Sequence, residues 1–150
     1  MPRKLTCLAA ATAIGALATV TTGSASTERD GRMIRLGVRF HDDQLDLGAP
    51  GPSVGDALVV HDTLVNGRAR TVGSDAGVCT FTSVAPPVAS CVLTFVLRDG
   101  QIATQFRNTP PPRKLVAIVG GTGAYRGASG QLVLVERPNQ TGTATFHLDR

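Results

Sequence analysis

The chain has 150 residues, 15 Lys and Arg against 11 Asp and Glu, and an aromatic supply of one tyrosine and five phenylalanines. That length suits one domain with a real core. The basic residues are scattered, without clusters or interleaved aromatics, which speaks against a nucleic-acid surface.

Arg3 and Lys4 precede an acid-free apolar run, Leu5 to Val20, and small residues follow at Gly23, Ser24, Ala25 and Ser26. This is the layout of a secretory signal, with cleavage expected after Ala25. The run is alanine-rich and shorter than the roughly 20 strongly apolar residues of a spanning helix, so no stable membrane insertion is expected after cleavage. Residues 1–25 are therefore set apart from a 26–150 domain, and the product is expected to be secreted. Loss of Arg3 and Lys4 leaves 13 basic against 11 acidic residues, and the formal charge falls from +4 to +2.

Ile34, Leu36, Val38 and Phe40 alternate with Arg35, Gly37, Arg39 and His41, the period-two pattern of a strand with one buried face. Ala57 to Val65 reads as a more continuous apolar strand, and Arg70 to Val72 as a short one. Val78 to Ser83 and Cys91 to Leu97 read as the arms of a hairpin turning near Ala85 and Pro86. That hairpin sets Cys79 opposite Cys91, and an even cysteine count in an exported chain suggests a structural disulfide. Two buried free thiols are the alternative.

A turn at Arg98-Asp-Gly100 leads into Gln101 to Phe106, and Pro110 to Pro112 would stiffen a loop at the rim. Next come an apolar strand, Leu115 to Val119, eleven residues containing five glycines, Gly120 to Gly130, and a second apolar strand through Glu136. The glycines allow positive φ and close backbone approach, which suits a tight connection. Gly121-x-Gly123 resembles the start of a dinucleotide loop, but a strand rather than a helix follows, and no Lys-Ser or Lys-Thr is present. Ala144, Phe146 and Leu148 mark one face of a last strand. About eight strands joined by short turns point to an all-β antiparallel barrel or sandwich.

His41, His61 and His147 are widely spaced and form no ligand motif, so neither a metal nor another cofactor is expected. Asn139-Gln-Thr141 is a formal glycosylation sequon.

Four ordered motifs are Gly48-Ala-Pro-Gly-Pro-Ser-Val-Gly-Asp56, Val59-Val-His-Asp-Thr-Leu64, Gly77-Val-Cys-Thr80 and the Gly120 to Gly130 stretch. Together, from roughly Arg35 to Leu148, they resemble the allene oxide cyclase and dirigent barrel superfamily. The resemblance implies an eight-stranded antiparallel β-barrel with an apolar interior, often a homotrimer. It also implies stereoselective ring closure or coupling of a small hydrophobic molecule, with conformational restriction as the main agent. A non-catalytic carrier of hydrophobic metabolites is the alternative, and a filled barrel would indicate a structural module.

Asp62 is the expected catalytic residue. Its position resembles one held by asparagine in plant allene oxide cyclases and commonly by aspartate in dirigents. Sharing a strand face with Leu58 and Val60, it would be a carboxylate of raised pKa at a cavity mouth, polarising a substrate oxygen or accepting a proton. A solvated strand-end carboxylate is the plainer alternative. Leu58, Val60, Phe81, Phe95 and Tyr125 are the expected ligand contacts, with Tyr125 also suited to plug one barrel end. Arg126 is a candidate partner for Asp62 or Glu136. Two departures point away from the specific plant reactions: Ser129 stands where dirigents usually carry arginine, and Ile34 to Phe40 lacks the acid of the plant cyclases.

Overall fold

The computed structural model describes residues 31–110 and 112–149. The expected signal segment and Pro111 of the proline rim lie outside them. Ten strands run in the order β1 (Arg32–Arg39), β2 (Asp42–Leu45), β3 (Ala57–Val60), β4 (Thr63–Val65), β5 (Thr71–Val84), β6 (Pro87–Leu97), β7 (Gly100–Asn108), β8 (Arg113–Gly121), β9 (Ser129–Arg137) and β10 (Thr141–Asp149). All pairings are antiparallel.

The barrel has eight staves because β3 and β4 are two pieces of one stave. Both pair with β5, β3 against Gly77–Thr80 and β4 against Thr71–Ser74, with His61 and Asp62 interrupting between them. β1 and β2 repeat the arrangement alongside, broken at Phe40 and His41. The expected continuous strand from Ala57 to Val65 is thus split at Asp62. At the break the His41 N–H is taken up by the Asp62 carboxylate in place of a main-chain carbonyl. Closure comes from β5 pairing with β6 on its other side, while β2, paired with β3 alone, keeps one open side.

β5 is far longer than Arg70 to Val72 suggested. Its inward positions are Gly73, Asp75, Gly77, Cys79 and Phe81, while Val72, Ser74, Ala76, Val78 and Thr80 face out. A Cβ at Gly77 would lie 2.0 Å from the Val92 carbonyl oxygen, and one at Gly73 would lie 2.3 Å from that of Val96. Small inward residues let β5 hug β6 closely enough to close a narrow barrel.

One half of the interior is packed solid. Phe95 and Phe146 meet edge to face with centroids 5.0 Å apart, surrounded by Leu64, Ile102, Val116, Leu132 and Ala144. A short 3-10 turn, Gly123–Tyr125, closes that end, and buried Tyr125 plugs it with the Arg32 guanidinium 5.4 Å from its ring centre. This is the use of the glycine-dense segment. A Cβ on Gly123 would meet the Asp99 carbonyl at 2.4 Å, and one on Gly100 the Thr122 carbonyl at 2.1 Å. The two turns are zipped by Thr122 N–H to Gln101 carbonyl (2.9 Å) and Ala124 N–H to Asp99 carbonyl (2.8 Å).

Candidate functional site

The opposite half is open. A cavity of about 360 Å³ enters the barrel where β7, β9 and the β9–β10 turn end, lined by the apolar Leu58, Val60, Leu93, Phe106 and Leu134 and by the polar Asp42, Asn108, Glu136, Arg137 and Gln140. Its size lies within the range of small-ligand sites. Cys79 forms part of the wall, joined to Cys91 by a disulfide across directly opposed positions of β5 and β6. An adjoining recess of about 240 Å³ shares Leu58, Asn108 and Glu136 and adds Phe81, Pro110 and Lys114.

Asp62 is in the cavity wall, yet is 4% exposed. The break between β3 and β4 frees its side chain to accept the His41 N–H at 2.8 Å, which pins the matching break between β1 and β2. Its main-chain carbonyl accepts the Asp75 N–H at 3.1 Å. Burial raises its pKa, opposed by the hydrogen bonds from His41 and Asp75.

Asp75 is the residue that sequence reasoning missed. It occupies an inward position of β5 opposite Phe95, is 2% exposed, and hydrogen-bonds the Asp62 carboxylate. Burial first, and then the neighbouring negative charge of Asp62, push its pKa up to about 8. The available signal was an acid at an inward position between Gly73 and Gly77, where an apolar residue is the rule. The sequence pattern points to one strand beginning at Val78 and a separate short one ending at Val72, which leaves Asp75 between them.

The expected site residues divide into three places. Leu58, Val60, Asp62 and Cys79 gather at the one cavity; Phe81 lines the adjoining recess; Phe95 sits in the packed half, and Tyr125 plugs the far end. Arg126 also belongs to that far end, so the candidate pairing with Asp62 or Glu136 does not form there. Glu136 is instead paired with buried Lys114 at 3.2 Å, and Lys114 also donates to the Thr109 carbonyl.

A third acid is structural. Asp56 accepts the Leu47 N–H at 3.1 Å, the Ser53 N–H at 2.7 Å and the Ser53 hydroxyl at 2.9 Å, which ties the loop between β2 and β3. Those hydrogen bonds hold its carboxyl below the usual carboxylate range. Among the described residues, no three His, Cys, Asp or Glu side chains gather in a way that could hold a metal ion. Among them too, no helix is long and apolar enough to cross a membrane.

A family model described as the allene oxide cyclase barrel like domain matches residues 35–148. No curated protein sequence matches the chain. Among solved structures, a pyocyanin demethylase is 29% identical, with a TM-score of 0.70, over 78% of this chain and 99% of that one. A pterocarpan synthase dirigent protein is 18% identical, with a TM-score of 0.62, over 79% of this chain and 82% of that one. A Diels-Alderase from Streptomyces koyangensis is 16% identical, with a TM-score of 0.64, over 84% and 72%. At such identities the last two share the fold.

Proposed function

Because the chain belongs to the allene oxide cyclase barrel like domain family, we propose that it holds a small apolar molecule in the open half of the barrel and directs its ring closure or coupling with one handedness. The observation that carries this is a single buried carboxylate, Asp62, in a cavity wall that also presents Leu58, Val60, Leu93, Phe106 and Leu134. Apolar walls restrict a flexible reactant to few conformers, and such restriction supplies much of the barrier lowering that a unimolecular closure needs. Asp62 supplies a buried, directed polar contact, accepting a hydrogen bond or a proton from the reactant. In a ring closure, a proton taken at one atom and returned at another leaves the product isomeric with the reactant, so no co-reactant is required; in a coupling, the barrel would only orient two radicals already formed elsewhere. The similarity to a pyocyanin demethylase and to a Diels-Alderase supports a barrel that transforms a small molecule.

A carrier that binds and releases an apolar metabolite unchanged is the second reading, favoured by the presence of only one carboxylate with a raised pKa in the cavity wall. The test is to incubate the protein with an apolar metabolite extract of its own host and to compare recovered with input compounds by chromatography and mass. A product equal in mass to an input compound but shifted in retention is expected. Recovery of an unchanged bound compound favours the carrier, and recovery of nothing overturns both. Leu134→Trp, which fills the cavity, is expected to abolish binding.

We further propose that the chain is exported after loss of residues 1–25, which the disulfide supports. Intact mass of protein from the medium, starting at Ser26, checks this. The homotrimer implied by the resemblance needs an apolar contact face, and the outward pair Val78 and Val92, 43% and 56% exposed, offers one. Light scattering would measure it.

A further inference from the structure

Asp75 is not part of the cavity wall, and its burial needs an explanation. Its Oδ1 is buried with no hydrogen-bond partner. A lone buried carboxylate of this kind is costly, and two touching carboxylates cannot both remain ionised cheaply. The pair therefore keeps one proton. The two acids are unequally placed to carry it. Asp62 accepts the His41 N–H, which favours its ionised form, whereas the Asp75 carboxyl meets Asp62 and the apolar interior around Phe95. The proton thus belongs to Asp75, whose O–H donates to Asp62.

We propose that Asp75 is a positioning residue that holds Asp62 as an oriented, ionised acceptor in the cavity wall, so that the cavity selects apolar molecules bearing a hydroxyl or N–H donor. This rests on the cavity being a ligand site, as argued above. Two of the acceptor directions of Asp62 are already taken, by His41 and by Asp75. Asp62 also lines the cavity, where a donor on the ligand would meet a negative charge with little competing water. An ether or hydrocarbon of the same shape would leave that charge unmet. Other charged groups around the pair are His41 and Asp42, which act on Asp62, and Glu136 and Arg137 elsewhere on the lining. None of these lies between the two acids in the chain of contacts from His41 through Asp62 to Asp75.

The test has two arms on the folded, ligand-free protein. Carbon NMR of aspartate-labelled protein follows the carboxyl titrations. In the wild type, one aspartate is expected to titrate near 8. Asp75→Asn keeps a donor toward Asp62 and should remove that step; Asp75→Leu keeps neither donor nor proton. The Asp62 ionisation constant should be larger in the Asn variant than in the Leu variant by about tenfold, the worth of a hydrogen bond to a charged group. A packing role alone would not separate them by rescue of this kind. If every wild-type aspartate titrates below about 5, as unperturbed carboxyls do, the shared proton is absent and the proposal falls, whether or not the variants fold.

The second arm compares 2-naphthol with 2-methoxynaphthalene as probes at pH 6. The naphthol is expected to bind about tenfold more tightly, again as a charge-assisted hydrogen bond. Equal binding would overturn the donor preference. Binding of neither would overturn the cavity reading itself, and the pair would then stand or fall on the titration alone.

Discussion

Cys79 and Cys91 face each other across β5 and β6, and the disulfide between them forms part of the cavity wall. The same covalent link thus closes the hairpin and shapes the ligand end of the barrel. It lies in a cluster with Ala89, against Leu58, Val60, Phe81 and Phe106.

Replacing both cysteines by alanine is expected to lower stability by about 3 kcal/mol, since a loop of this length is closed in the unfolded chain as well. Urea denaturation of the paired variant against the wild type measures it. In the folded wild type, neither Cys79 nor Cys91 should react with an alkylating agent before reduction.

Phe95→Ala should cost roughly 3–5 kcal/mol, because it opens a hole beside Phe146 in the half of the barrel that is already full. Ligand affinity in the open half should change much less than stability. Comparing denaturation midpoints with dye binding under native conditions separates the two effects.

The three buried acids set opposite limbs of the pH–stability curve. Asp75 and Asp62 have raised pKa values, so the folded state holds protons that the unfolded chain releases above about 4. Their contribution is largest below that pH and is lost as pH rises toward about 8, the value for Asp75. Asp56, with its lowered pKa, contributes above about 4 and is lost on further acidification. The melting temperature should therefore rise as pH falls from about 8 to about 5 and drop again in stronger acid. Asp75→Asn should flatten the upper limb only.

Asp56→Ala removes the acceptor for the Leu47 and Ser53 donors. The expected result is faster proteolysis between β2 and β3, a lower melting temperature, and loss of part of the acid limb, with the alkaline limb intact. Limited proteolysis with mapped cut sites checks it.

Asp62→Asn preserves shape and one acceptor but discards the charge. Product formation or its handedness should fall while circular dichroism and melting remain near wild type. Unchanged turnover in a chromatographic assay would remove Asp62 from the chemistry.

Much of the fold was legible in the residues because strand signals are local. Ile34, Leu36 and Val38 alternate with polar neighbours or glycine, and Ala85 and Pro86 punctuate a hairpin, while an irregularity between Phe81 and Ser83 shifts the ladder by one residue and sets Cys79 directly opposite Cys91. The glycines from Gly120 to Gly130 announced a tight connection, and they make one. What only the tertiary structure decided is which inward residues share a space. Asp62 and Asp75 are thirteen positions apart and meet because β4 and β5 are neighbouring staves, with β3 and β4 broken at Asp62. Period two tells which way a side chain points but not how far along the barrel it stands. It therefore could not tell Phe95, in the packed half, from Phe106, beside the cavity. Depth along the axis is fixed by stagger between strands, a property of closure that no single strand carries.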